Sequence, residues 1–162
     1  MDYNVIIERG RSPMNDAIID FLKTKISGFT LDVGANAGWL VSELDNAIGV
    51  DTSPIAVEEA KRLGRDVRLI KDTLPFPDKT FDTVVISCVL EQCEDWKPVL
   101  KEAIRVCKGK VIGINPIPGS GWGKIGGWVK SVIPESEMVE MGAKIEYPNI
   151  EGKYYFQFDT KI

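Results

Sequence analysis

Three acidic residues and one glycine turn carry most of the chemistry legible in this chain. The run Leu31-Asp32-Val33-Gly34-Ala35-Asn36-Ala37-Gly38 leads an apolar stretch into a turn bracketed by glycines. Gly34 reaches backbone angles closed to other residues, and without a Cβ it lets a ligand approach the main chain. Gly38 permits close contact where the following helix starts. A helix N-terminus offers N–H groups without intrahelical partners, which suit a carboxylate. Asp32 brings the opposite charge to the strand end, which suits an ammonium. A ligand with both groups, as an amino acid has, matches this pair better than a pyrophosphate does. Asp51 ends the next apolar run, where doubly wound folds set an acid on a ribose diol. Asp72 follows a third run; it can accept from an adenine amino group while Leu74 and Phe76 cover the ring face. Each piece alone has a plain alternative: a structural turn, an Asx turn or cap, a loop aspartate. In order at three strand ends, they form one crevice at the carboxyl edge of a sheet.

The elements that must position these groups alternate between apolar runs and helical patterns, the mark of a parallel sheet with crossover helices. Ser12-Pro13 starts a helix with Ala17, Ile18, Phe21, Leu22 and Ile26 at helical spacing. Strands are expected at Phe29–Val33, Ala47–Val50, Val67–Ile70, Phe81–Ile86 and Lys110–Ile114. A short helix is expected from Gly38 to about Leu44. Ser53-Pro54 opens another, with Ile55, Val57, Ala60 and Leu63 inward and Gly64 as its stop. Asp95 caps a helix carrying Val99, Leu100, Ala103, Ile104 and Cys107, ended by Gly109 in the left-handed conformation. Glu135–Met141 reads as a short helix, and Lys144–Tyr147 with Tyr154–Phe158 as a final antiparallel pair. The fold class expected is α/β, as a single domain over residues 1–162.

Composition narrows the function. The chain has 162 residues, 44% hydrophobic and 27% charged, with a net charge of −4. A mildly acidic chain without a basic stripe is a poor partner for nucleic acid. No apolar run approaches the roughly 20 residues that span a bilayer, and Met1–Arg11 lacks the pattern of a signal peptide, so a cytoplasmic setting is expected. Cys88, Cys93 and Cys107 are odd in number and lack CxxC spacing, which argues against a disulfide scaffold or a zinc site; no metal is expected. The absence of histidine removes the commonest general base and the serine–histidine–aspartate triad.

With these residues in view, the chain resembles the class I S-adenosylmethionine (SAM)-dependent methyltransferases. Within them it resembles the methyltransferase type 11 group, which includes the ubiquinone/menaquinone biosynthesis enzymes. Leu31 through Gly38 resembles the family's first motif and Ile48-Gly49-Val50-Asp51-Thr52-Ser53 its second. Leu74-Pro75-Phe76-Pro77-Asp78-Lys79-Thr80-Phe81-Asp82 is similar to a loop-plus-strand signature of the group. Ser87-Cys88-Val89-Leu90-Glu91-Gln92 resembles the fourth-strand motif. The resemblance implies a Rossmann-like, doubly wound, seven-stranded mixed sheet with an antiparallel last strand. It also implies SAM as cofactor. Gly34, Asn36 and Gly38 would surround its methionine part, with Asp32 toward the ammonium. Asp51, with Thr52 beside it, would take the ribose hydroxyls. Asp72, Thr73 and Leu74 would meet the adenine, and the Ser87 carbonyl would meet the amino group. Two positions depart from the pattern. Ala35-Asn36 stands where the family usually has a pair such as Cys-Gly, although asparagine tolerates the left-handed conformation. Gln92 replaces a common histidine.

Displacement at a sulfonium needs no acid for its neutral leaving group, and holding the nucleophile in place supplies about 7–11 kcal/mol. The function expected is methyl transfer to a small-molecule acceptor whose identity the sequence conceals. No catalytic residue stands out: Glu91, Asp95 or a water would serve if a base is required. The glycine-rich stretch Gly119–Trp128, with Trp122, Ile125, Trp128 and Val132 on one face, is the candidate substrate lid. Two other readings stay open: a SAM-binding or regulatory module without turnover, and an NAD-dependent oxidoreductase, whose Gly-x-Gly-x-x-Gly the spacing Gly34-x-x-x-Gly38 does not match.

Overall fold

A computed structural model describes residues 12–121 and 129–160. Seven strands form one sheet: β1 (Thr30–Val33), β2 (Ala47–Asp51), β3 (Val67–Leu69), β4 (Phe81–Ser87), β5 (Cys107–Pro116), β6 (Lys144–Glu146) and β7 (Lys153–Asp159). Their spatial order is β3-β2-β1-β4-β5-β7-β6. The first five run parallel, and β7 runs antiparallel to both neighbours. The order reverses between β1 and β4, so the crevice of a doubly wound sheet opens there, at the carboxyl ends.

Side-chain alternation divides the core between two faces. Val84, Val111, Tyr154 and Phe156 pack on one face with α3 (Lys97–Val106), through Leu100 and Ala103, and with Met138 of α4 (Glu135–Glu140). Val85, Ile112, Ile114 and Tyr155 pack on the other with Ile18, Ile19 and Leu22 of α1 (Pro13–Lys23). Ser12 caps α1, its Oγ accepting from Asn15 N–H at 3.2 Å. Ser53 likewise caps α2 (Pro54–Arg62), accepting from Ala56 N–H at 3.3 Å.

Several expected boundaries shift for local reasons. The helix expected after Gly38 is a turn followed by a single 3-10 turn, Val41–Glu43. On α2 the buried residues are Ala56 and Ala60, while Ile55 is 48% exposed and Leu63 lies at the surface. Ala60 packs against Val41 and Val67 with Val57 beside it, and the larger Ile55 and Leu63 turn outward. Gly109 does not terminate α3. The chain leaves Val106 in extended conformation and Gly109 lies inside β5, where a Cβ would meet the Asp82 carbonyl oxygen at 2.1 Å. Asp95 lies just before α3, its Oδ1 accepting from Lys97 N–H at 3.2 Å. The final antiparallel pair forms as expected, through β6 and β7. Trp122, Ile125 and Trp128 of the expected lid lie outside the described residues. Among the described residues no helix is long and apolar enough to cross a membrane, and no cluster of His, Cys, Asp or Glu is placed to hold a metal ion. All three cysteines carry free thiols.

Candidate functional site

Two adjoining cavities lie along the carboxyl edge. One, of about 250 Å³, is lined by residues that include Gly34, Asp51, Thr52, Asp72, Thr73 and Leu74. The other, of about 190 Å³, includes Asp32, Gly34, Asn36 and Ser87, with Asn15 and Trp39. Gly34, Val89 and Gln92 belong to both walls, so the cavities are two halves of one crevice. Small-molecule sites typically occupy about 300–1,000 Å³, and the two halves together fall in that range. Nine of the ten cofactor-site residues expected from the sequence line the crevice. Gly38 does not: it packs toward Arg65 and Val67 beneath the turn. A larger open groove of about 710 Å³ lies at the opposite edge, around Gly28, Asp82, Lys110 and Asp159, and contains none of them.

The turn at the crevice is built by its own backbone. Gly34 has φ 76° and Asn36 φ 51°, so asparagine does take the left-handed angle. A Cβ at Gly34 would meet Val89 Cγ2 at 2.3 Å, so the junction of the two halves admits no side chain there. Gly34 and Ala35 N–H donate to the Val50 carbonyl at 2.9 and 3.0 Å. Asn36 N–H donates to Asp51 Oδ2 at 2.8 Å, Ala37 N–H to Asn36 Oδ1 at 2.7 Å, and Gly38 N–H to the Ala35 carbonyl at 2.8 Å. The sequence led us to expect free N–H groups here for a carboxylate. All five are instead engaged within the protein, by Val50 and Asp51 of the next strand and by the turn's own Asn36 and Ala35. Asn15 and Trp39 are the side chains with N–H groups that line this end beside Gln92, whose amide donates to the Cys88 carbonyl.

The two acids at the centre differ. Asp51 is 3% exposed; its Oδ1 accepts from Ser53 N–H at 2.9 Å and its Oδ2 from Asn36 N–H, so it ties the two loops together. Asp32 is 6% exposed, and burial, reinforced by the nearby Asp51 carboxylate, pushes it up to about 7. A buried carboxyl with so raised a pKa at a cavity wall marks a candidate functional site.

The loop covering the Asp72 half of the crevice is held from α3. Leu74 N–H donates to Glu102 Oε2 at 3.1 Å. Arg105 donates to the Leu74 and Phe76 carbonyls at 3.0 and 2.9 Å, and pairs with Asp78 and Glu102, each at 2.8 Å. Sequence reasoning missed this pair. Glu102 and Arg105 are three apart on a helix, a legible ion pair, but their reach to the Leu74–Asp78 loop appears only once the strands are ordered. Of the two weak catalytic candidates, Asp95 is exposed and occupied near the start of α3. Glu91 is buried in the 3-10 turn Leu90–Gln92, and burial pushes it up to about 7.

Comparison with known proteins accords with this geometry. A family model described as a methyltransferase domain matches residues 31–112. An uncharacterized protein of Methanocaldococcus jannaschii is 38% identical over 98 residues, covering 58% of this chain and 48% of that protein. A demethylmenaquinone methyltransferase of Lactobacillus johnsonii is 34% identical over 126 residues, covering 62% and 51%. The chain therefore spans about half the length of the curated relatives it matches. Among solved structures, a SAM-dependent methyltransferase of Thermotoga maritima, a possible histamine N-methyltransferase, superposes with TM-score 0.72 at 18% identity, covering 88% of this chain and 87% of that one. A SAM-dependent methyltransferase of Aquifex aeolicus superposes with TM-score 0.69 at 19% identity, covering 98% and 97%. From the family match and the sheet that carries it, the chain belongs to the SAM-dependent methyltransferase family, whose cofactor is S-adenosylmethionine.

Proposed function

We propose that this chain transfers a methyl group from SAM to a small-molecule acceptor, with SAM lying along the two-part crevice. The observation that carries the reading is the buried Asp32 carboxyl, in one crevice with the Gly34 junction and the Asp51 and Asp72 strand ends. When bound, SAM supplies a methyl group on a positively charged sulfur. The residues present fit that ligand. Asp32 faces the ammonium and the sulfonium with a carboxylate that a cation keeps ionised. Gly34 lets Val89 close in to form the waist of the crevice, and Asn36 and the Ser87 carbonyl flank the methionine part. Asp51, already fixed by two N–H donors, retains lone pairs for the ribose hydroxyls, with Thr52 beside it. Asp72 and Thr73 meet the adenine edge, and Leu74 supplies apolar cover. Since the N–H groups of residues 34–38 are engaged, the ligand carboxylate falls to other donors at this end, among them the Asn15 and Trp39 side chains.

A ligand at 100 times its dissociation constant adds about 2.7 kcal/mol to stability. SAM and S-adenosylhomocysteine are therefore expected to raise Tm, and NAD is not. A screen of small acceptors with methyl-labelled SAM then reads the transfer. Binding without transfer to any acceptor supports the alternative of a non-catalytic SAM-binding module; no Tm response to SAM contradicts both.

A further inference from the structure

Beyond the crevice, one strand over on the same edge, lies a cavity of about 40 Å³ lined by Glu91, Asn115 and Ser131 among apolar residues such as Ile117, Val129 and Ile133. Two buried side-chain oxygens in the molecule lack a hydrogen-bond partner among the described residues, and they are Glu91 Oε2 and Asn115 Oδ1. Glu91 is 5% exposed and Asn115 fully buried. Leaving such a group unsatisfied costs about 1–3 kcal/mol, more if charged, so two orphans lining one cavity mark a place for a donor.

The surrounding bonds fix what kind of donor. Tyr154 O–H donates to the Ile133 carbonyl at 2.9 Å, so its oxygen must accept from Asn115 Nδ2 at 3.0 Å. That orients the amide and leaves Oδ1 for the cavity. Ser131 Oγ donates to the Cys93 carbonyl at 2.6 Å. With Glu91 ionised, these polar side chains offer the cavity acceptors and no spare donor. A carboxylate or phosphate finds nothing there, and a hydroxyl has one hydrogen for two oxygens. An uncharged NH2 group has two hydrogens and keeps its lone pair. The volume suits one such group, since a water in the liquid occupies about 30 Å³. Lys153 of β7 is also buried, and its charge acts on Glu91, which disfavours an ammonium over a neutral amine.

The cavity is well placed for an acceptor. Asn115 follows Ile114, which pairs in register with Ser87 of the SAM crevice. Glu91 and Gln92 are consecutive, and they line the cavity and the crevice respectively.

We propose that Glu91 and Asn115 form the subsite that receives the amino group of a neutral primary amine, the acceptor substrate. The proposal deepens the methyltransferase reading and rests on it. The groups facing Glu91 are Lys153 and Tyr154 from β7, Cys88 ahead of the 3-10 turn and Cys93 after it.

The test uses the whole chain and three ring probes of similar shape: aniline, phenol and benzoate. Carbon-13 NMR follows the Glu91 carboxyl, and calorimetry follows SAM binding in the same samples. Aniline is expected to shift the Glu91 resonance saturably, phenol to bind at least tenfold more weakly, and benzoate to leave it unchanged. Glu91→Gln is expected to lose at least tenfold in aniline affinity while retaining its SAM affinity, which certifies its fold. No saturable aniline response beside normal SAM binding overturns the subsite, the cavity then holding water, and leaves the methyltransferase reading intact. Equal aniline and phenol affinities overturn the amine assignment. Loss of SAM binding in the wild type sinks the methyltransferase reading, whatever aniline does.

Discussion

Asp32 is where single-residue chemistry is most exposed to experiment. Its carboxyl holds a proton to about pH 7 when folded, against an ordinary value of 3.8. Between those values the folded chain binds more protons than the unfolded one. The stability of the ligand-free protein therefore falls as pH rises from about 4 through 7, by ~3 kcal/mol from this group. Glu91, raised from 4.5 to about 7, acts in the same direction. Denaturant titrations of Asp32→Asn at a series of pH values are expected to give a flatter profile, with the variant more stable than wild type at pH 8. Gly34→Ala tests the turn. Its Cβ would strike Val89 at a φ of 76°, and a loss of about 1–3 kcal/mol is expected in urea unfolding, with weaker SAM binding because Val89 walls both halves. The acids and glycines of this site were legible because their types and order are distinctive. The pairing of the N–H groups of residues 34–38 was not, because it depends on Val50 and Asp51 of the neighbouring strand. Nor was Asn115, a single polar residue at the end of an apolar strand whose meaning comes from Tyr154 across the sheet.

At the scale of elements, the strand succession could be read from the apolar runs, and the capped helices from Ser12-Pro13 and Ser53-Pro54. Failures came where packing overruled local pattern. On α2, alanines rather than the bulkier Ile55 and Leu63 meet the core, and Gly109 extends a strand instead of ending a helix. The Leu74–Asp78 loop depends on α3 through Glu102 and Arg105. Arg105→Gln should free it. Hydrogen exchange at Leu74 N–H is expected to quicken at least tenfold and SAM affinity to fall several-fold, with amides of β4 and β5 unchanged. Unaltered exchange at Leu74 shows that the loop holds its shape without α3.

Across the whole molecule, the sheet order puts the carboxyl ends of five parallel strands on one edge and closes the far side with antiparallel β7. That arrangement puts the Asp32–Asp51 crevice, the proposed SAM site, at the reversal between β1 and β4 and the Glu91–Asn115 cavity beside it on β5. Tyr154 joins β7 to β5 and to the segment before α4, through Asn115 and the Ile133 carbonyl. Tyr154→Phe removes a buried hydroxyl that both donates and accepts. A loss of about 1–3 kcal/mol is expected by urea unfolding.

The central claim is that SAM binds along the Asp32–Asp51 crevice. Calorimetric titration of SAM into wild type and Asp32→Asn, from pH 6 to pH 8, tests it most directly. The account predicts one site per chain in the wild type. Its affinity should fall about tenfold per pH unit below about 7 and level off above, and at pH 8 Asp32→Asn should bind at least tenfold more weakly without that pH dependence. Wild-type and variant titrations that coincide across the range, or a wild type that binds no SAM, would contradict it.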